Sequence, residues 1–232
     1  MNSTQSTARR AGVLYFLFMI VAIVREFLFP AFMVPADATA TAHNIAAAEP
    51  TYRMGILLGL VTHVMFIFLV ALLHKLLKDV DRGQAMLMVM LVSIGVAIAL
   101  VNLIHEFAPL VLLSGADYLS VFTKPQLDAL VLASLRLHSS GAAVPTAFWG
   151  LWLFPFGILV MRSGFLPRIL GILLLVAGFA YVTSSVTSIL LPEYRRVVSR
   201  VMMPLYFGEV PVIFWLLIKG AKVPNPSPTS AP

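Results

Sequence analysis

The chain has 232 residues, of which 60% are hydrophobic and only 11% charged. A water-soluble domain carries about 25% charged residues, so too little charge is present to cover a soluble surface, and the apolar content equally excludes a disordered chain. The absence of cysteine excludes disulfide frameworks, thiolate catalysis and Cys-ligated zinc or iron–sulfur centres. The formal charge of +6 follows from the positive-inside bias of membrane proteins more economically than from nucleic-acid binding, and no nucleic-acid partner is expected.

A bilayer core needs about 20 apolar residues per helix. Residues 1–10 read as a cytoplasmic N-terminus ending in Arg9 and Arg10, and the first apolar stretch follows over 11–34, with Arg25 and Glu26 inside it. A basic start, an apolar run and small-residue triplets at 38–40 and 40–42 are also the parts of a cleavable signal peptide. The apolar run resumes after Glu26, however, and the triplets lie far downstream, which favours a retained span. Asp37 is placed to cap a short helix that Pro50 would end. The second stretch covers 54–73, with Gly55, Gly59 and His63 on one side. The third covers 85–104 and closes on Asn102, His105 and Glu106. The segment 125–138 has a helical apolar stripe and reads as a short surface helix on the outer side, with His138 and Ser139 at the mouth of the fourth stretch, 141–161. The fifth covers 169–191. A basic connector, 192–201, leads to the sixth, 203–218, which holds Glu209. Residues 223–232 are rich in Pro and Ser and read as a disordered tail.

The expected fold is therefore an all-α integral membrane protein, one bundle of six transmembrane helices over 11–222. Sorting Lys and Arg by loop gives nine on the N-terminal side and six on the other, with Arg25 inside the first span. This bias puts both termini of a multi-pass protein in the cytoplasm.

Ionisable groups in a bilayer cost about 2.5–3.5 kcal/mol each on insertion scales, so their positions carry the functional information. Glu26, Asn102, His105, Glu106, His138 and Glu209 are expected toward the outer half, and His63 near mid-depth. Gly95, Asn102, Glu106 and Pro109 share one stripe; Gly12, Tyr15, Ala22 and Glu26 share another; Gly171, Gly178, Ser185 and Ser188 a third. Small residues let helices approach closely, so these stripes should face the bundle interior. The acids are either interhelical glue, with Arg25 or Arg136 as partners, or the parts of a ligand or proton site. The H-E-x-x-H, G-x-S-x-G, Walker and dinucleotide motifs are all absent.

Several stretches are similar to a bacterial multi-pass membrane family known only as domain of unknown function 4386: ARRAGVLYFLFMIVAIVREF (8–27), VPADATATAHNI (34–45), LLSGADYLSVF (112–122), LHSSGAAVPTAFWGLWLF (137–154), RSGFLPRILGILLLVAGFAYV (162–182) and GEVPVIFWLLIKGAK (208–222). The resemblance implies a single domain of about six helices and no particular activity. Thr183, Ser184 and Ser185 stand where it implies an acid.

Three functions fit. A transporter or binding protein would use the buried carboxylates and histidines to relay protons or hold a small polar solute. An intramembrane metal or haem protein would draw on His63, His105 and His138 with Glu106 and Glu209, although the differing depths of the histidines tell against one shared site. A non-catalytic partner protein would use the polar groups only to join helices.

Overall fold

A computed structural model describes residues 3–28 and 32–221. The described residues are helical, without a strand, and six helical stretches are long and apolar enough to cross a membrane. The chain is an all-α integral membrane protein. The expected tail, 223–232, and Pro30 lie outside the described residues.

The first span is α1 (Ser3–Leu28). A short helix, α2 (Ala38–Ala47), starts where Asp37 accepts a hydrogen bond from the Ala40 amide at 2.8 Å. Pro50 does not end that helix. It occupies the first turn of α3 (Glu49–Leu77), where its missing N–H costs nothing. The third span is α4 (Arg82–Leu103), capped by Asp81, and it continues through a 3₁₀ turn at Ile104–Glu106 into α5 (Ala108–Leu112). The expected surface segment is α6 (Lys124–Gly141), which runs on into α7 (Ala143–Leu151) and α8 (Leu153–Arg162). The fifth span is α9 (Arg168–Leu190).

The stretch read as a basic connector proves helical. It forms α10 (Arg195–Tyr206), which leads through a 3₁₀ turn, Phe207–Glu209, into α11 (Val210–Phe214) and a π turn, Trp215–Lys219. The sequence alternates between Arg195, Arg196, Ser199 and Arg200 on one face and Val197 and Val201 on the other, so a helix keeps its arginines off the apolar side.

Four of these interruptions share one cause. Proline removes the hydrogen bond to the carbonyl four residues before it and crowds that carbonyl. Pro109 acts on His105, Pro145 on Gly141, Pro155 on Leu151 and Pro211 on Phe207. At each of those places a helix breaks or tightens to 3₁₀ geometry. Glu106 and Glu209 both end such 3₁₀ turns.

The spans form a ring in chain order: α1 on α3, α3 on α4, α4 on α7 and α8, these on α9, and α9 on the 3₁₀ turn that carries Glu209. The terminal π turn packs back on α1 and closes the ring. At the end that holds the N-terminus, Gln5 Nε2 donates to the Lys219 carbonyl at 3.0 Å and Arg162 meets Asp81 at 2.9 Å. At the other end α2 lies on α6, over a cluster made by Phe32, Ile45, Tyr52, Leu103, Val131 and Leu135. Outward-facing residues are large and apolar, among them Val13, Leu17, Ile20 and Phe27 on α1. Lipid tails as solvent remove any hydrophobic gain from hiding such side chains, so helices associate through close packing instead.

That packing is tightest between α7–α8 and α9. A Cβ on Gly178 would fall 2.8 Å from the Gly150 carbonyl oxygen, and one on Gly150 would fall 2.7 Å from the Gly178 carbonyl oxygen. Replacing Gly178 by Val should cost about 1–3 kcal/mol through overpacking, read as a lower unfolding midpoint in detergent. Gly83→Ala, at an exposed helix start, should leave that midpoint unchanged.

Candidate functional site

Glu106 is completely buried, at 0% exposure. Arg25 Nη2 from α1 donates to its Oε1 at 2.7 Å, and His138 Nε2 from α6 lies 2.9 Å from the same oxygen. Its Oε2 is also buried and has no hydrogen-bond partner among the described residues. The Tyr52 hydroxyl donates to the main-chain carbonyl of Glu106 at 2.8 Å. Taking a carboxylate and a guanidinium out of water costs several kcal/mol per ion, and only good mutual geometry offsets it. Three helices converge here to supply that geometry.

Two glycines make room. A Cβ on Gly59 would lie 2.7 Å from Arg25 Nε, and one on Gly141 would collide with the Asn102 side chain. Without such a collision, Asn102 Nδ2 donates to the His138 carbonyl at 3.0 Å. His138 Nδ1 then has two neighbours on Asn102: its main-chain carbonyl at 3.1 Å and its Nδ2 at 3.3 Å. A protonated Nδ1 donates to the carbonyl; a bare Nδ1 accepts from the amide. The imidazole is therefore hydrogen-bonded in either protonation state.

A second acidic centre lies deeper. Glu209 accepts a hydrogen bond from the Tyr15 hydroxyl at 2.5 Å, and Tyr181 lines the same cavity. Glu209 is ten residues from Lys219, about 15 Å along the helix, and the sixth span begins at Pro192 rather than at 203. Its hydrogen-bond partner is a neutral phenol rather than a cation.

His63 stands at a similar level, on α3. Its Nδ1 lies 2.6 Å from the Gly59 carbonyl. A carbonyl only accepts, so Nδ1 carries the hydrogen and Nε2 is the nitrogen that can take a proton.

Two cavities join these groups. One of about 310 Å³ is lined by His63, Glu209, Tyr181, Trp149, Arg25 and Glu26, drawn from five spans. Another, of about 250 Å³, is lined by Glu106, His138, Tyr52, Arg25 and Glu26. Arg25 and Glu26 line both. Glu26 is exposed and makes no hydrogen bond or ion pair among the described residues. His105, on the same 3₁₀ turn as Glu106, likewise has no such partner.

Of the residues singled out in the sequence, the structure brings Asn102, Glu106 and His138 into one cluster. It puts His63, Glu26 and Glu209 around the adjoining cavity and leaves His105 outside both hydrogen-bond networks. Arg25, rather than Arg136, is the partner of Glu106. Tyr52 and Tyr181 were not foreseen as site residues. Tyr52 falls on the Gly59–His63 face by helical spacing, a signal available in the sequence. Tyr181 likewise falls on the Gly178–Ser185–Ser188 stripe of α9, three residues after Gly178 and four before Ser185. No three His, Asp or Glu side chains among the described residues are grouped so as to hold a metal, so His63, His105 and His138 do not form the shared metal site considered above.

A family model described as "Domain of unknown function (DUF4386)" matches residues 10–220. An "Uncharacterized protein" of Archaeoglobus fulgidus is 37% identical over 76 residues, which is 33% of this chain and 44% of that protein. The chain thus aligns with less than half the length of that curated relative. No solved structure matches.

The buried pair sets a stability prediction. Glu106→Gln leaves Arg25 without its anion and should cost about 3–5 kcal/mol. Arg25→Gln should cost less, because His138 still meets Glu106. Combining the two should recover part of the loss. Strictly additive losses in a denaturant titration of the detergent-solubilised variants would show that the two side chains do not interact.

Proposed function

We propose that this chain, which belongs to the DUF4386 family, carries protons inside the membrane, with Glu106, His138 and Arg25 as the binding centre. The observation that carries this reading is the free Oε2 of the fully buried Glu106. A buried carboxylate oxygen without a partner forfeits about 1–3 kcal/mol or more, and a helical bundle that needed only glue would satisfy it. A proton, or the donor group of a solute, in the 250 Å³ cavity beside it would do so.

The two-sided hydrogen bonding of His138 supports the same reading, since a proton carrier has to be stable in both states. Glu26 and Arg25, shared by the two cavities, supply charged groups between this centre and His63 and Glu209. Tyr15 and Tyr181 supply hydroxyls at the deeper end. This gives a succession of titratable groups from the α2–α6 end of the bundle to its middle. Chemically, Glu106 accepts the proton, Arg25 holds the charge in place when the proton leaves, and His138 exchanges it with the cavity.

Reconstituted protein in liposomes should conduct protons inward under an imposed membrane potential, followed with an entrapped pH dye. Glu106→Gln and His138→Gln should each reduce the flux at least tenfold, and Glu209→Gln should reduce it as well. Flux in the Glu106→Gln variant equal to that of the parent would remove the proposal and leave the polar cluster as interhelical glue.

We also infer a bacterial inner-membrane location with the N-terminus in the cytoplasm. The Lys and Arg bias supports it, since Arg9, Arg10, Lys75, Lys78, Arg82, Arg162, Arg168 and Lys219 all gather at one end of the bundle. The chain has no cysteine, so single replacements report cleanly. In intact cells Ser120→Cys should react with a membrane-impermeant maleimide and Lys78→Cys should not. The reverse pattern would invert the orientation.

A further inference from the structure

We propose that the arginine-lined cavity between α7, α9 and α10 binds a phosphate-bearing ligand. It is distinct from the Glu106 centre and does not depend on the function proposed for that centre. The cavity holds about 540 Å³ and is lined by Arg195, Arg196, Arg200, Ser188, Ser199 and Tyr206, with further hydroxyls behind them.

Charge is the first argument. Three guanidiniums line this space and no carboxylate does. Among the described residues, none of the three makes an ion pair or a hydrogen bond; the ion pairs engage Arg25, Arg53, Lys124, His138 and Arg162 instead. Arg195 and Arg196 also occupy the first turn of α10, the positive end of its dipole, where cations are disfavoured and anions are favoured. Three like charges on one helix, two of them in its first turn, call for an anion.

Hydrogen bonding narrows the class. The hydroxyls of Ser139, Thr146 and Ser185 already donate to the carbonyls of Leu135, Ala142 and Ala143. Those of Ser188 and Ser199 have no partner among the described residues. Ser184 and Tyr206 bond to each other, which consumes one of their two protons and leaves one to give. The cavity thus offers three planar guanidinium forks and three hydroxyl protons, and no acceptor carboxylate. A tetrahedral group with several anionic oxygens matches such donors: guanidinium forks bind phosphate bidentately, and hydroxyls complete its coordination. A carboxylate would leave most of the donors idle.

The group can belong to a lipid headgroup or to a soluble phosphate compound, and the test separates them. The purified full chain is titrated calorimetrically with inorganic phosphate, against sodium chloride at matched ionic strength. In parallel, native mass spectrometry reads retention of phosphatidylglycerol against uncharged diacylglycerol. Saturable one-to-one binding of inorganic phosphate supports a soluble ligand. Selective one-to-one retention of phosphatidylglycerol without phosphate binding supports a headgroup. In either case the R196Q/R200Q variant should bind at least tenfold more weakly, and R196K/R200K, which keeps the charge but loses the forks, should fall between. Ser188→Ala, a small change at a half-buried position, should weaken binding severalfold and guards against misfolding of the charge variants. The proposal is overturned if neither probe binds saturably, if chloride competes equally, or if R196Q/R200Q with the parental melting temperature binds as the parent does. Proton flux through the Glu106 centre is not needed for any of these readings.

Discussion

The contact between Arg25 and Glu106 ties the first span to the end of the third and sets what can surround it. Neither ion could remain charged alone at that depth, because each would lose its hydration with nothing in return. Their pairing demands that α1 and α4 hold a fixed rotation about their axes. It also requires a small residue on α3, Gly59, where the guanidinium passes. His138 joins the same carboxylate oxygen, so the α6 end of the fourth span is drawn in as well. One oxygen thus serves as the meeting point of three helices while its twin is left for whatever enters the cavity.

The prolines explain how acids come to face inward at these levels. A straight α-helix presents a given face every 3.6 residues and drifts off any fixed neighbour. The 3₁₀ turns that Pro109 and Pro211 impose retighten the helix just where Glu106 and Glu209 stand. In the fourth span Pro145 and Pro155 break the rod twice, and α6 packs on α2 while α7 and α8 pack on α9. Missing backbone hydrogen bonds are expensive against lipid, so each proline sets a cost that the surrounding chain has to offset.

Lipid as the surrounding solvent also accounts for the distribution of small and large residues. Leu, Ile, Val and Phe cover the outside, where they gain nothing by hiding, and glycines line the seams. The reciprocal Gly150–Gly178 contact brings two backbones close enough that the serines following Gly178 on α9 stay near α7. These serines and the arginines of α10 together enclose the third polar space. It adjoins the Glu106 centre, with Ser139 lining both spaces, and it carries guanidiniums without a carboxylate where that centre pairs the two.

Much of this architecture was written in the amino-acid order. Six apolar runs, the basic bias of alternate loops and the stripes of glycine with polar residues follow from local hydropathy and the helical period, which need no knowledge of neighbours. Asn102, Glu106 and His138 were recognisable as anomalous because any ionisable or amide group in such a run is costly. Tertiary structure decided the rest. Arg25 and Glu106 are 81 residues apart, and period tells only which face a side chain occupies, not which helix stands opposite it. An amphipathic helix with arginines on one face looks like a loop until a wall of serines is placed beside it. The open position at Glu106 Oε2 likewise exists only in three dimensions, since Arg25 and His138 both meet the other carboxylate oxygen.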